Sequence, residues 1–109
     1  PRPCILEFPA DVPFHVRGGY NAEPGEALRP SQIDFRLFVD GREMGGPNDV
    51  SWTWDEASGE RLLSDIRIFN FRKGLPAGEY EFYGIWTQRD FAYPGEVLVH
   101  TIHATVVFE

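Results

Sequence analysis

The sequence predicts an all-β fold, an antiparallel two-sheet sandwich of seven to eight strands. Three observations carry this reading. Short runs with apolar residues at every second position recur along the chain at strand-and-turn spacing. Aromatic residues make up 15% of the 109 residues, with nine Phe, four Tyr and three Trp, and such side chains favour pleated, half-buried surfaces. Eleven Gly and nine Pro are dispersed as turn punctuation and form no low-complexity tract. At this length residues 1–109 make one domain around one core.

Taken in order, Cys4 to Phe8 is a short first strand closed by Pro9. Val12 to Tyr20 is a second, with Phe14 and Val16 on one face, His15 and Arg17 on the other, and Gly18-Gly19 expected to end it or form a bulge. A polar segment from Asn21 to Pro30 follows. Ile33 to Val39 is the clearest strand: Ile33, Phe35, Leu37 and Val39 face one way, Asp34, Arg36 and Phe38 the other. Asp40-Gly41 suits the positive φ angles of a two-residue hairpin turn into a short strand at Arg42 to Met44. Val50, Trp52 and Trp54 alternate with polar residues in a further strand. Asp55 to Leu63 holds at most one helical turn, because Ser58-Gly59 interrupts it. Leu62 to Phe71 has apolar residues at both parities, which suits a central strand covered on both sides. Glu79 to Thr87 is next. Val97 to Phe108 closes the chain, with Leu98, Ile102, Ala104, Val106 and Phe108 on one face.

The most specific local signal is Leu75-Pro76-Ala77-Gly78-Glu79-Tyr80. Its Leu-x-x-Gly-x-Tyr pattern, directly before a strand, resembles the tyrosine corner of immunoglobulin-like and fibronectin type III-like sandwiches, in which a tyrosine hydroxyl locks the turn between sheets. The order of strand lengths and turns resembles the same architecture over nearly the whole chain. The resemblance implies a core tryptophan, for which Trp86, Trp52 and Trp54 are the candidates. It also implies a binding scaffold without any particular activity. The cysteine pair of true immunoglobulin domains is missing.

Composition narrows the function classes. Ten basic against 17 acidic residues give a net charge of −7. An acidic surface repels phosphate backbones and anionic membrane surfaces, so nucleic-acid binding is not expected. No run approaches the ~20 apolar residues of a membrane helix, so membrane insertion is not expected either. Cys4 is the single cysteine, which precludes an internal disulfide, and its apolar surroundings predict a buried, inert thiol. No signal-peptide core is present. Pro1 suits a chain made in the cytosol with its initiator Met removed, a trimmed domain of a longer protein being the alternative. The compartment stays open.

No constellation points to catalysis or to a cofactor. His100 and His103 lie three apart on a strand and so face opposite sides, and a copper site is not expected because Cys4 and Met44 are remote from them. There is no nucleophile elbow and no phosphate loop. Glu23, Glu26, Asp55, Glu56, Glu60, Asp90 and Glu96 fall in loops expected at one end, and read as a solvated acidic end rather than a calcium site. What remains is aromatic. Phe38, Tyr83 and Ile85 fall on the outward faces of strands expected to pair, and Arg89, Phe91 and Tyr93 belong to a loop where aromatics and Arg suit an interface. For Phe91 the alternative is folding over the open end of the core. The expectation is a non-catalytic structural or protein-interaction module, self-association included, with a virion decoration protein or a surface fibre subunit as analogies. Two alternatives are a carbohydrate-binding module using exposed Trp and Tyr, and a protease-inhibitor-like domain using the loop from Phe91 to Gly95.

Overall fold

A chain this rich in β-formers satisfies its backbone N–H and C=O groups between strands, and the alternation of side chains then decides which face of each sheet turns inward. The computed structural model describes residues 4–21, 29–47, 49–54, 62–90 and 94–109, with the backbone alone at 49, 51–54, 62 and 63. The strands are β1 (Cys4–Phe8), β2 (Phe14–Asn21), β3 (Ile33–Val39), β4 (Arg42–Glu43), β5 (Asp49–Trp54), β6 (Leu62–Phe71), β7 (Gly78–Arg89) and β8 (Val97–Phe108), with one 3-10 turn at Pro30–Gln32. They form a five-stranded sheet in the order β1-β8-β7-β3-β4 and a three-stranded sheet in the order β2-β6-β5.

The two inner faces make the core. Alternation in β3 is complete: Ile33, Phe35, Leu37 and Val39 are buried while Arg36 is exposed. From β7 and β8 come Phe82, Trp86, Ala104, Val106 and Phe108, and from β6 comes Phe69. Phe14 stacks on Phe71 with ring centres 4.5 Å apart and leans on Phe108 at 5.1 Å. Asp40 and Gly41 have φ of 51° and 79°, so the β3–β4 hairpin turns as its sequence predicts. The Tyr80 hydroxyl donates to the Pro76 carbonyl at 3.0 Å, which closes the turn ahead of β7.

The structure corrects the sequence reading at three points. The sandwich is not wholly antiparallel: β1 runs parallel to β8, with Cys4 beside Ala104 and Phe8 beside Phe108. These strands are not joined by a hairpin, so no tight turn dictates their direction. The direction follows from the crossing to β2, because β1 must end where β2 begins. The Ala10 N–H donates to the Glu109 carbonyl and the Glu109 N–H to the Phe8 carbonyl there. Cys4 is exposed rather than buried. It sits on an edge strand whose five residues are all exposed, because the three-stranded sheet does not extend over it.

Gly18-Gly19 neither ends β2 nor bulges it; the pairing with β6 runs without a shift from Phe14 to Asn21. The glycine at 18 is there for space. A Cβ on it would stand 2.8 Å from Trp86 Cε3 and 3.0 Å from Phe35 Cε2. β6 is central in its sheet, as its mixed pattern predicts; Ile66 and Ile68 are half-buried at its outer parity, and its inner parity carries an ion pair. Asp65 and Arg67 share a face with Phe69. Asp65 is fully buried, and Arg67 Nε donates to its Oδ1 at 2.8 Å while Arg67 Nη2 donates to its Oδ2 at 3.1 Å. Arg67 Nη2 also donates to the Pro30 carbonyl at 2.8 Å, which ties the 3-10 turn to the small sheet.

Two stability predictions follow from these contacts. Arg67→Met leaves the Asp65 carboxylate buried without its partner and should cost about 3–5 kcal/mol in urea unfolding. A second substitution, Asp65→Leu, should restore most of that loss; no recovery would show that the pair is not the cause. Gly18→Ala should cost about 1–3 kcal/mol through overpacking against Trp86. Gly19→Ala, with only the Asp65 carbonyl at 3.7 Å, should stay within about 0.5 kcal/mol of the parent.

Candidate functional site

The outer face of the five-stranded sheet is set by the parity of β3, β7 and β8. Register places Phe38 opposite Tyr83 and Arg36 opposite Ile85. On the other side of β7 it places His103 opposite Tyr83, Thr101 opposite Ile85 and Val99 opposite Thr87. Three of the sequence candidates, Phe38, Tyr83 and Ile85, are therefore brought together on one face. Their rings form a chain: Phe38 to Tyr83 at 6.4 Å, then Tyr83 edge-on to His103 at 6.1 Å. Tyr83 is 39% exposed, and Phe38 and Ile85 are half-buried between their neighbours.

Val97 and Val99 extend the same face and were not singled out from the sequence. They are 54% and 55% exposed. The signal for them was present, since they occupy the positions of the last strand opposite in parity to Leu98 and Ile102. Along that strand the inner face is the more continuous apolar row.

Two polar side-chain pairs border the patch. Arg36 Nη2 lies 2.7 Å from Glu43 Oε1 and Arg36 Nε 3.1 Å from Oε2, a two-pronged contact across β3 and β4. The same guanidinium carbon stands 5.1 Å from the Phe38 ring centre, over its face. On the β8 side, His103 Nε2 is 2.7 Å from Glu81 Oε2, and the Thr105 hydroxyl donates to Glu81 Oε1 at 2.8 Å. Such a surface has an apolar centre and a polar rim whose side chains are already oriented.

Arg89 ends β7 and is exposed. Its carbonyl accepts from Gln32 Nε2 at 2.8 Å, so the end of the strand is tied to the 3-10 turn. The loop beyond is closed by the Asp90 N–H donating to the Glu96 carbonyl at 2.7 Å and by the Gly95 N–H donating to Asp90 Oδ1 at 2.6 Å. Phe91 and Tyr93 lie outside the described residues, as do Glu23, Glu26, Asp55, Glu56 and Glu60 of the acidic end. Among the described residues no group of three His, Cys, Asp or Glu side chains comes together to hold a metal.

Trp86 takes the place of the core tryptophan. It is 8% exposed, packs against Phe35 at 5.6 Å, and its indole Nε1 donates to Gln88 Oε1 at 2.9 Å. It is therefore not available as a sugar-stacking platform. The side chains of Trp52 and Trp54 lie outside the described residues.

No protein-family model, no curated protein sequence and no solved structure matches this chain.

Arg36 holds the Glu43 carboxyl below the usual carboxylate range, chiefly through its hydrogen bonds. A carboxyl lowered by folding adds stability above its unfolded value and loses it as pH falls through the folded one. Glu43→Gln should therefore melt slightly below the parent at neutral pH. The gap should close as the pH drops below the ordinary glutamate value of about 4.3. A gap that persists to acid pH would assign the effect to something other than charge.

Proposed function

We propose that this domain is a non-catalytic protein-interaction module that associates with a second copy of itself through the outer face of its five-stranded sheet. The observation that carries the reading is the set Phe38, Tyr83, Ile85, Val97 and Val99 on one sheet face, exposed in part and bordered by the Arg36–Glu43 and His103–Glu81 pairs. Large exposed apolar patches with polar rims mark contact surfaces. Most of the patch lies on β7 and β8, each of 12 residues. A single continuous sheet face can serve an isologous contact, in which the same surface serves both partners.

The reading takes the fold as immunoglobulin-like. The third and seventh strands lie side by side in one sheet and the second and sixth in the other, a division that the immunoglobulin sandwich shares, while β1 joins β8 rather than β2. The hydrogen bond from Tyr80 to Pro76 has the form of the tyrosine corner. Scaffolds of this kind host many kinds of partner, so the proposal rests on the patch and not on the architecture.

Light scattering across a concentration series tests it. The average mass of the parent should climb toward twice the chain mass between micromolar and millimolar protein, and Tyr83→Asp should hold it at the single-chain value. A parent that keeps the single-chain mass throughout would sink self-association.

A further inference from the structure

We infer that the groove between β2 and β8 is a second binding site, one that takes an extended segment of another protein as an added strand on β2. The inference goes beyond the outer-face contact and uses the opposite side of the large sheet. The groove has a volume of about 630 Å³, within the range of built ligand sites. Its floor includes Leu6, Phe8, His100 and Ile102, and its walls include Val16 and Phe35.

The groove exists because a sheet of five strands is covered by one of three. Leu6 and Phe8 share the register face of Val106 and Phe108, and Ile102 shares the face of Ala104 opposite Gly84. All three point to the inner side of the sandwich. Even so, Leu6 and Phe8 are each 44% exposed and Ile102 is 71% exposed. Side chains on an inner face with that much exposure lack a layer above them. A strand hydrogen-bonded to β2 would run ~4.8 Å beyond it and about 10 Å above the large sheet, which places it over these side chains.

The backbone favours a strand over a small molecule. Over Phe14–Gly19, the part that lines the groove, β2 pairs with β6 on one side and with nothing on the other among the described residues. Its free edge therefore offers a row of N–H and C=O groups that a small apolar ligand would leave unmet. The devices that usually blunt an edge, proline and lysine, are absent from Phe14–Asn21. Main-chain pairing along such an edge, with alternate side chains in a groove, is an established mode of peptide recognition.

Charge indicates the partner's chemistry. Among the described residues no Asp or Glu lines the groove, whereas His15, Arg17 and His100 do. His15 and Arg17 occupy the exposed parity of β2. The segment that fits has apolar residues at alternate positions facing the floor, and acidic residues between them facing outward beside His15 and Arg17.

The probe is a capped seven-residue peptide with valine at its odd positions and glutamate at its even ones, titrated into the intact ¹⁵N-labelled protein. Amides on the free edge of β2 should become slow to exchange, and the signals of Leu6 and Ile102 should shift. Ile102→Glu should weaken binding by at least about tenfold, since it charges the apolar floor. Arg17→Glu should weaken it by roughly twofold to fivefold. Both positions are exposed, and an otherwise unchanged spectrum checks the fold. Tyr83→Asp, on the far face, should leave peptide binding unchanged, which separates this site from the outer-face contact. The proposal is overturned if β2 gains no protection at ~1 mM peptide, or if a peptide with a central proline binds as well. It is equally overturned if dodecanoate fills the groove while the peptide leaves β2 exchange unaltered.

Discussion

Everything distinctive in this molecule depends on one geometric constraint, the unequal width of its two sheets. Three strands can cover the middle of a five-stranded sheet but not its margins. Under the cover, Leu37, Phe69 and Phe108 are almost wholly removed from water, and each such side chain contributes about 1.5–3 kcal/mol. Beyond the cover, β1 and the first half of β8 carry the same kind of residue on the same face without the burial. The core is therefore well made where the sheets overlap and unfinished along one flank.

The overlap itself is held by contacts that fix how closely the sheets approach. The missing side chain at Gly18 lets the Trp86 ring lie against the backbone of β2, and Gln88 satisfies the indole N–H that this packing removes from water. At the end of the small sheet, Arg67 joins a buried carboxylate to the Pro30 carbonyl. A buried pair of this type adds little net stability over an apolar alternative. Its use is directional, because the fork of donors fits only one placement of the 3-10 turn relative to β6. The outer face needs none of these arrangements, as its side chains are ordered by pairs such as Arg36 with Glu43 on the sheet surface.

Local pattern made much of this legible. The strict alternation of Ile33 to Val39 separated inward from outward residues without error, and the dipeptide Asp40-Gly41 announced its turn. The spacing from Leu75 to Tyr80 located the start of β7 and the bond that closes it. Because parity is local, the grouping of Phe38, Tyr83 and Ile85 could be read from the same alternation once the strands were paired. The illegible features are those set by distant partners. Whether Cys4 is buried depends on how far another sheet reaches, and whether β1 is parallel depends on where the chain crosses to β2. Gly18-Gly19 looked like punctuation because the ring that requires Gly18 is far along the sequence. The mixed parity of Leu62 to Phe71 marked a central strand, but it gave no sign of the ion pair on its inward face.

The parallel pairing of β1 with β8 also bears on how the chain reaches this structure. It joins position 4 to position 104 and position 8 to position 108, so nearly the full length must be closed into one loop before these ladders form. Loop closure of that span earns no contacts until late, and topologies dominated by such pairings fold slowly. The hairpins β3–β4 and β7–β8 can form early from near neighbours. During synthesis, the apolar first strand stays without its partner until β8 has emerged. Over that interval Ile5, Leu6 and Phe8 are open to association with other chains.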